Sequence, residues 1–227
     1  RNLQLLIFPG VMLILWGVQF VTTLLGEQGA DPETRQGVGA IGVPLIFFSC
    51  LGISNALANT ALSREGRAFW IMRLAPLNPW QLLMPKLVLA YLPYPVITLP
   101  LLSLAVALGA QGPVGALRAL GLILLLGLGL TSFALANGTI FARLDWQNPA
   151  QQLPWQSSII NAIFLPLYLG LTGGLVIVTT LVATSLGGGW AGLGLMLVGW
   201  LLALIITACV VALSLWAAVA SLERREL

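Results

Sequence analysis

The sequence predicts an all-α integral membrane protein of about six transmembrane helices, and three observations predict it. The 227 residues are 59% hydrophobic and only 7% charged, whereas a globular domain of that length carries about a quarter charged residues. Apolar stretches repeatedly exceed the roughly 18 to 20 residues that a helix needs to cross about 30 Å of hydrocarbon. The longest polar interval, Ala58 to Lys86, is under about 30 residues and itself partly apolar, too short for a soluble domain of ordinary size. Residues 1–227 are therefore expected to form a single multi-pass transmembrane domain in a cell membrane, the bacterial inner membrane or its equivalent.

Apolar runs broken by Gly, Pro and charge clusters place the spans at about 3–25, 38–58, 87–109, 117–138, 157–185 and 192–222. The first exceeds the 7 to 15 residue core of a signal peptide and lacks a convincing cleavage segment after it, so it is read as a retained helix. The first residue is Arg1 rather than Met, which is compatible with a processed or truncated chain. Cys50 and Cys209 both fall inside spans, where a thiol acts as a small hydrophobe.

Basic residues orient the spans. With both ends inside, the cytoplasmic segments hold Arg1, Arg64, Arg67, Arg73, Lys86, Arg143, Arg224 and Arg225, and the opposite side holds Arg35 and Arg118. The first external loop, 26–37, carries Glu27, Asp31 and Glu33. Breakers punctuate the spans: Pro9, Pro44, the group Pro93, Pro95 and Pro100, then Pro166 and the pair Gly173 and Gly174. Each proline removes a backbone donor and frees a carbonyl. Ordinary kinks explain these; a bent third and fifth span lining a pathway is the sharper alternative. Gly170 and Gly174 form one GxxxG, a packing signal diluted by 25 glycines.

Several chemistries lack their residues. There is no histidine, hence no imidazole base and no HExxH metal site. Acidic residues are missing from every span, so no intramembrane carboxylate relay exists. Ser49, Ser54, Thr179 and Thr180 have no base to activate them and are expected to bond along their own helices. No phosphate loop occurs, the sole lysine, Lys86, following Met84 and Pro85. The chain is expected to be non-catalytic and to take any energy through another subunit.

The interval SREGRAFWIMRLAPLNPWQLLMPK, from Ser63 to Lys86, is where such a subunit would attach. Ser63 can cap a short amphipathic helix with Glu65 in its first turn, apolar Phe69, Trp70, Met72 and Leu74, and basic Arg64, Arg67 and Arg73. Pro76 and Pro79 end it, and Trp80, Leu82 and Leu83 begin a second short helix that leads into the third span. A helix, a rigid corner and another helix result. The competing reading is a lipid anchor, since Arg and Trp commonly hold helices at headgroups.

This stretch resembles the first cytoplasmic loop of ABC transporter permeases of the type 2 exporter class, above all its large exporter group. There the loop typically runs REGRxFWLLKxLP, then a small polar residue and Pro, and ends in Lys. Arg64, Glu65, Gly66, Arg67, Phe69, Trp70, Arg73, Pro76, Pro79 and Lys86 match without a gap, with Ala75 for a usual Leu, Asn78 for a usual Ser and Pro85 for a small flexible residue. A second patch, FARLDWQNP, holds Phe141, Arg143, Asp145, Trp146 and Pro149 and is similar to the family's other cytoplasmic loop, often FPRFDWxNP. Read without the resemblance, it is a solvated turn ending in Asn148 and Pro149.

The resemblance implies a permease subunit that couples a separate ATP-binding cassette ATPase to export. ATP and Mg would be bound by that partner, with no cofactor in this chain. The loop at 63–86 would contain the coupling helix, Arg64, Glu65, Arg67 and Arg73 meeting the ATPase or headgroups while Phe69 and Trp70 anchor it. A second permease half or a second copy, and membrane lipids, are the other expected partners; nucleic acid is not. The family's cytoplasmic helix ahead of the first span has no counterpart before Leu3, and the chain is compatible with one half of a longer permease. The alternative is a structural or assembly subunit of a larger membrane complex.

Overall fold

A computed structural model describes residues 11, 18, 22, 32–68, 78–107, 112–143, 154–185, 187 and 189–224. In chain order these form α1 (Pro32–Asn59), a 3-10 turn (Ser63–Ala68), α2 (Pro79–Tyr91), α3 (Pro93–Ala107), α4 (Pro113–Ile140), α5 (Trp155–Tyr168), a π-helical turn (Leu169–Gly173), α6 (Gly174–Ser185) and α7 (Trp190–Arg224). No strand occurs among the described residues. The fold is all-α and membrane-type, as the composition requires. Among the described residues five stretches are long and apolar enough to cross a bilayer: 42–59, 79–107, 113–140, 155–185 and 190–224. The expected first span, 3–25, lies outside the described residues except for Val11, Val18 and Thr22, which are helical.

The third span departs from expectation. It begins at Pro79 rather than near residue 87, and the short helix expected at Trp80 is its first turn. The physical reason is a strong start signal. Pro79 stands at the first helical position, and Asn78 forms a capping box with Gln81, whose side chain accepts from the Asn78 N–H at 3.1 Å. Pro85 stays inside the helix. At Leu92, whose backbone is itself helical, α2 gives way to α3, and Pro93 and Pro95 in the first turn of α3 have no N–H to continue the hydrogen-bond ladder.

α4 is the hub, in contact with α1, α2, α3, α5 and α7. Its close approach to α1 needs Gly138, because a Cβ there would overlap the Asn59 carbonyl. Two apolar clusters fill the bundle. One joins Ala58, Leu62, Leu83, Leu135, Leu215 and Leu222 at the end where α1 and α7 finish. The other joins Phe47, Cys50, Tyr94, Leu126, Leu130 and Tyr168 farther along. The expected GxxxG packs against nothing among the described residues: a Cβ on Gly170 or Gly174 would meet none of their atoms within 4 Å. α6 and α7 instead meet where Gly192 faces the Ala183 carbonyl, 2.7 Å from where a Cβ would stand, and where Gly199 faces Thr179.

The expected self-satisfaction of hydroxyls holds for Ser49, Thr179 and Thr180, which donate to the carbonyls of Leu45, Leu175 and Val176 at 2.8, 2.8 and 2.7 Å. Ser54 departs from it; its buried hydroxyl makes no such bond.

Candidate functional site

The corner starts where α1 runs out of hydrogen-bond donors for its last carbonyls. Thr60 Oγ1 donates to the Ala56 carbonyl at 2.7 Å, and Arg64 Nη2 reaches the same oxygen at a long 3.5 Å. A basic side chain there also complements the negative end of the helix dipole. Burial lowers the Arg64 pKa from its ordinary value, yet a guanidinium remains charged at neutral pH.

Ser63, expected to cap an α-helix, is instead buried in the first position of the 3-10 turn. Gly66 stops that turn from continuing as a helix. Its backbone sits at φ 50°, ψ −132°, a region essentially closed to residues with a Cβ. The chain therefore changes direction at the glycine of the REGR motif, and Glu65, just before it, is aimed at α2.

There Glu65 forms an ion pair with Lys86, and Lys86 Nζ also donates to the Ala61 carbonyl at 3.1 Å. The two side chains retain only 22% and 16% of their exposure, so the pair is partly withdrawn from water and less screened than a surface pair. Two residues 21 positions apart thus close the loop onto itself and fasten the end of α1 to the body of α2. Arg64 has no ion-pair partner among the described residues.

Of the other expected corner residues, Pro79 and the exposed Trp80 sit in the first turn of α2. Arg67 belongs to the 3-10 turn by its backbone. Phe69, Trp70, Arg73 and Pro76 lie outside the described residues, and so does the expected amphipathic helix beyond Ala68. In the second patch, Phe141 caps α4, its N–H donating to the Asn137 carbonyl at 3.1 Å, and Arg143 is exposed two residues further on. Asp145, Trp146 and Pro149 lie outside the described residues.

Sequence reasoning overlooked two features near this end. The first is a seam of amides inside the bundle. Asn59 and Asn161 both donate to the Asn55 side-chain oxygen, Asn161 at 3.3 Å, and Asn137 donates to the Ser157 carbonyl at 2.8 Å. The signal was available, since four asparagines within apolar spans need partners there. The second is a cavity of about 520 Å³ between α4, α5 and α7, walled by Phe133, Phe164, Val210 and Leu213. Phe133 stacks on Phe164 at 3.5 Å and 9°, and Phe164 on Tyr168 at 5.6 Å, whose hydroxyl meets Thr207 of α7 at 2.8 Å. The four-residue spacing of Phe164 and Tyr168 on α5 is readable in the sequence. That Phe133 of α4 and Thr207 of α7 join them depends on which faces of the three helices meet.

In comparisons with protein-family models, curated proteins and solved structures, the chain finds no match.

Proposed function

We propose that the chain is the membrane-spanning permease subunit of an ATP-driven exporter, paired with a separate ATP-binding cassette ATPase and with a second permease half or a second copy. The single observation that carries this reading is the Glu65–Lys86 ion pair. A loop that only rests on headgroups has no need of an internal strut, whereas one that receives a push must pass it on. Here a displacement of the 3-10 turn moves the end of α1 and the body of α2 together, because Lys86 holds both Glu65 and the Ala61 carbonyl. The match of the surrounding residues to the exporter loop supports the same reading.

Charge supports the orientation. Arg64, Arg67, Lys86, Arg143 and Arg224 belong to one end of the bundle and Arg35 and Arg118 to the other, and the end richer in Lys and Arg is the cytoplasmic one under the positive-inside rule. That puts the corner on the side where ATP is available. ATP and Mg are held by the partner, and this chain's residues dock it and transmit its motion.

The test is a pull-down from native membranes in mild detergent with mass spectrometry. Wild type brings down an ABC-type ATPase. Arg67→Glu with Trp70→Ala loses it while membrane insertion persists. Lys86→Met keeps the ATPase bound but abolishes the nucleotide-dependent change in protease accessibility of the membrane helices. Recovery of other membrane proteins alone, with no ATPase, replaces this reading with the structural or assembly subunit.

A further inference from the structure

We infer that α5 is a flap: it swings about the π-helical turn at Leu169–Gly173 and admits water, from the end of the bundle where α4 finishes, onto a polar face that the closed form leaves short of hydrogen bonds. The inference goes beyond the exporter reading and stands whether or not the chain pairs with an ATPase.

The first observation is how α5 is held. Its buried residues are Ser157 and Tyr168, and Asn161 and Phe164 lie between them on the same face at helical spacing. Ile159, Ile163 and Leu167 point outward. Among the described helices α5 packs closely on α4 alone. In lipid, apolar surface gives such a helix no reason to stay, so packing and polar contacts must hold it. They are few: Asn161 donates to the Asn55 side chain of α1 at 3.3 Å, Asn137 of α4 donates to the Ser157 carbonyl at 2.8 Å, and Phe164 stacks on Phe133. The Asn55 oxygen keeps a donor when Asn161 leaves, because Asn59 also donates to it.

The second observation opposes closure. Asn59 Oδ1, Asn137 Oδ1 and Ser157 Oγ are buried without a hydrogen-bond partner among the described residues. A buried polar group left unmade costs more than a made bond returns. All three lie at one end of the bundle: Asn59 is the last residue of α1, Asn137 is three residues before the end of α4, and Ser157 is the third residue of α5. Water entering there would donate to both amide oxygens and bond the hydroxyl. Closing makes two hydrogen bonds and a ring stack but strips three groups of water. These opposed terms keep both forms populated.

The third observation is a pivot. Pro166 has no N–H to give its helix, and the π turn follows it at once. Such turns are rare and concentrate at functional sites. A Cβ on Gly170 or Gly174 would meet no atom within 4 Å, so the backbone there bends unobstructed. Beyond the pivot α6 is fixed on α7, where Gly192 and Gly199 leave no room for a methyl. The Tyr168 hydroxyl, bonded to Thr207 at 2.8 Å, secures the base of the flap.

The test is thiol labelling of the full chain in lipid nanodiscs with a water-soluble maleimide, after Cys50→Ala and Cys209→Ala. The reporter is Ser157→Cys, which keeps the carbonyl that Asn137 uses. It is labelled although the native side chain is buried. Asn161→Leu raises the labelling rate about fivefold, the factor one interhelical hydrogen bond in a membrane supplies. Gly170→Ala with Gly174→Ala, which stiffen the pivot without a clash, lower it. Ala90→Cys, buried on α2 away from α5, stays unlabelled in every background. The inference is overturned if the reporter is never labelled, if Asn161→Leu or the glycine pair leaves its rate unchanged, or if Ala90→Cys is labelled in parallel, which would mean that the whole bundle opens.

Discussion

The hub side of the bundle and its outer wall are built from the same residues in opposite ways. In α4, 56% of the most apolar 18-residue window is buried within the protein, while in α7 the figure is 17%. Composition does not separate them, since both are Leu-rich and carry glycines. The difference is that α4 uses small residues to bring backbones together, as at Gly138 against Asn59. α7 instead presents Leu197, Leu201, Leu213 and Trp216 outward. Without a hydrophobic drive between helices in lipid, close packing and hydrogen bonds decide which faces join. Apolarity inserts both helices, and shape sorts them.

The contrast can be sharpened by one chemical change, glycine to alanine, made in three places. Gly138→Ala forces a methyl into the Asn59 carbonyl, and because the obstacle is backbone we expect a loss of about 3 kcal/mol, the upper part of the overpacking range, read as a large fall in the melting temperature in detergent. Next in size is Gly66→Ala in the corner. Its φ of 50° with ψ −132° costs a residue with a Cβ about 2 kcal/mol, and limited proteolysis of the 63–86 loop should accelerate while the far end of the bundle stays protected. The smallest effect is in the π-helical turn between α5 and α6, whose exposed side belongs to the outer wall with that of α7. Gly170→Ala meets open space, and we expect a change within about 1 kcal/mol and in the stabilising direction. A loss as large as that of Gly138→Ala would mean that the outer wall is covered by protein, which deuterium exchange across α5 and α6 would then reveal.

The two basic patches differ in a related way. Lys86 is pinned by Glu65 and a carbonyl, so its charge is spent inside the protein. Arg143 has no ion-pair partner among the described residues and is left facing outward.

Much of this fold was legible in the residues. The helices at 42–59, 113–140, 155–185 and 190–224 lie within a few positions of the second, fourth, fifth and sixth expected spans, because about 20 apolar residues in succession have few alternatives to a membrane helix. Pro79 and Asn78 were noticed as parts of a corner, yet their effect as a helix start was underestimated, and the third span came out eight residues late at its beginning. Within the candidate site, Arg64, Glu65, Gly66 and Lys86 were singled out from their pattern, but not the contact that joins Glu65 to Lys86. The amide seam and the aromatic ladder were missed.

By itself the sequence determined the solvent, the approximate crossings and the uneven distribution of charge between the two ends, since each follows from local composition along one chain. Only the tertiary structure decided that α4 is the hub, that Gly138 rather than Gly170 is the close approach, that Glu65 meets Lys86, and that three helices leave a cavity beneath Arg143. Those outcomes depend on helix rotation and register. Hydrophobicity nearly uniform around each helix leaves both undetermined until side chains and small-residue gaps interlock.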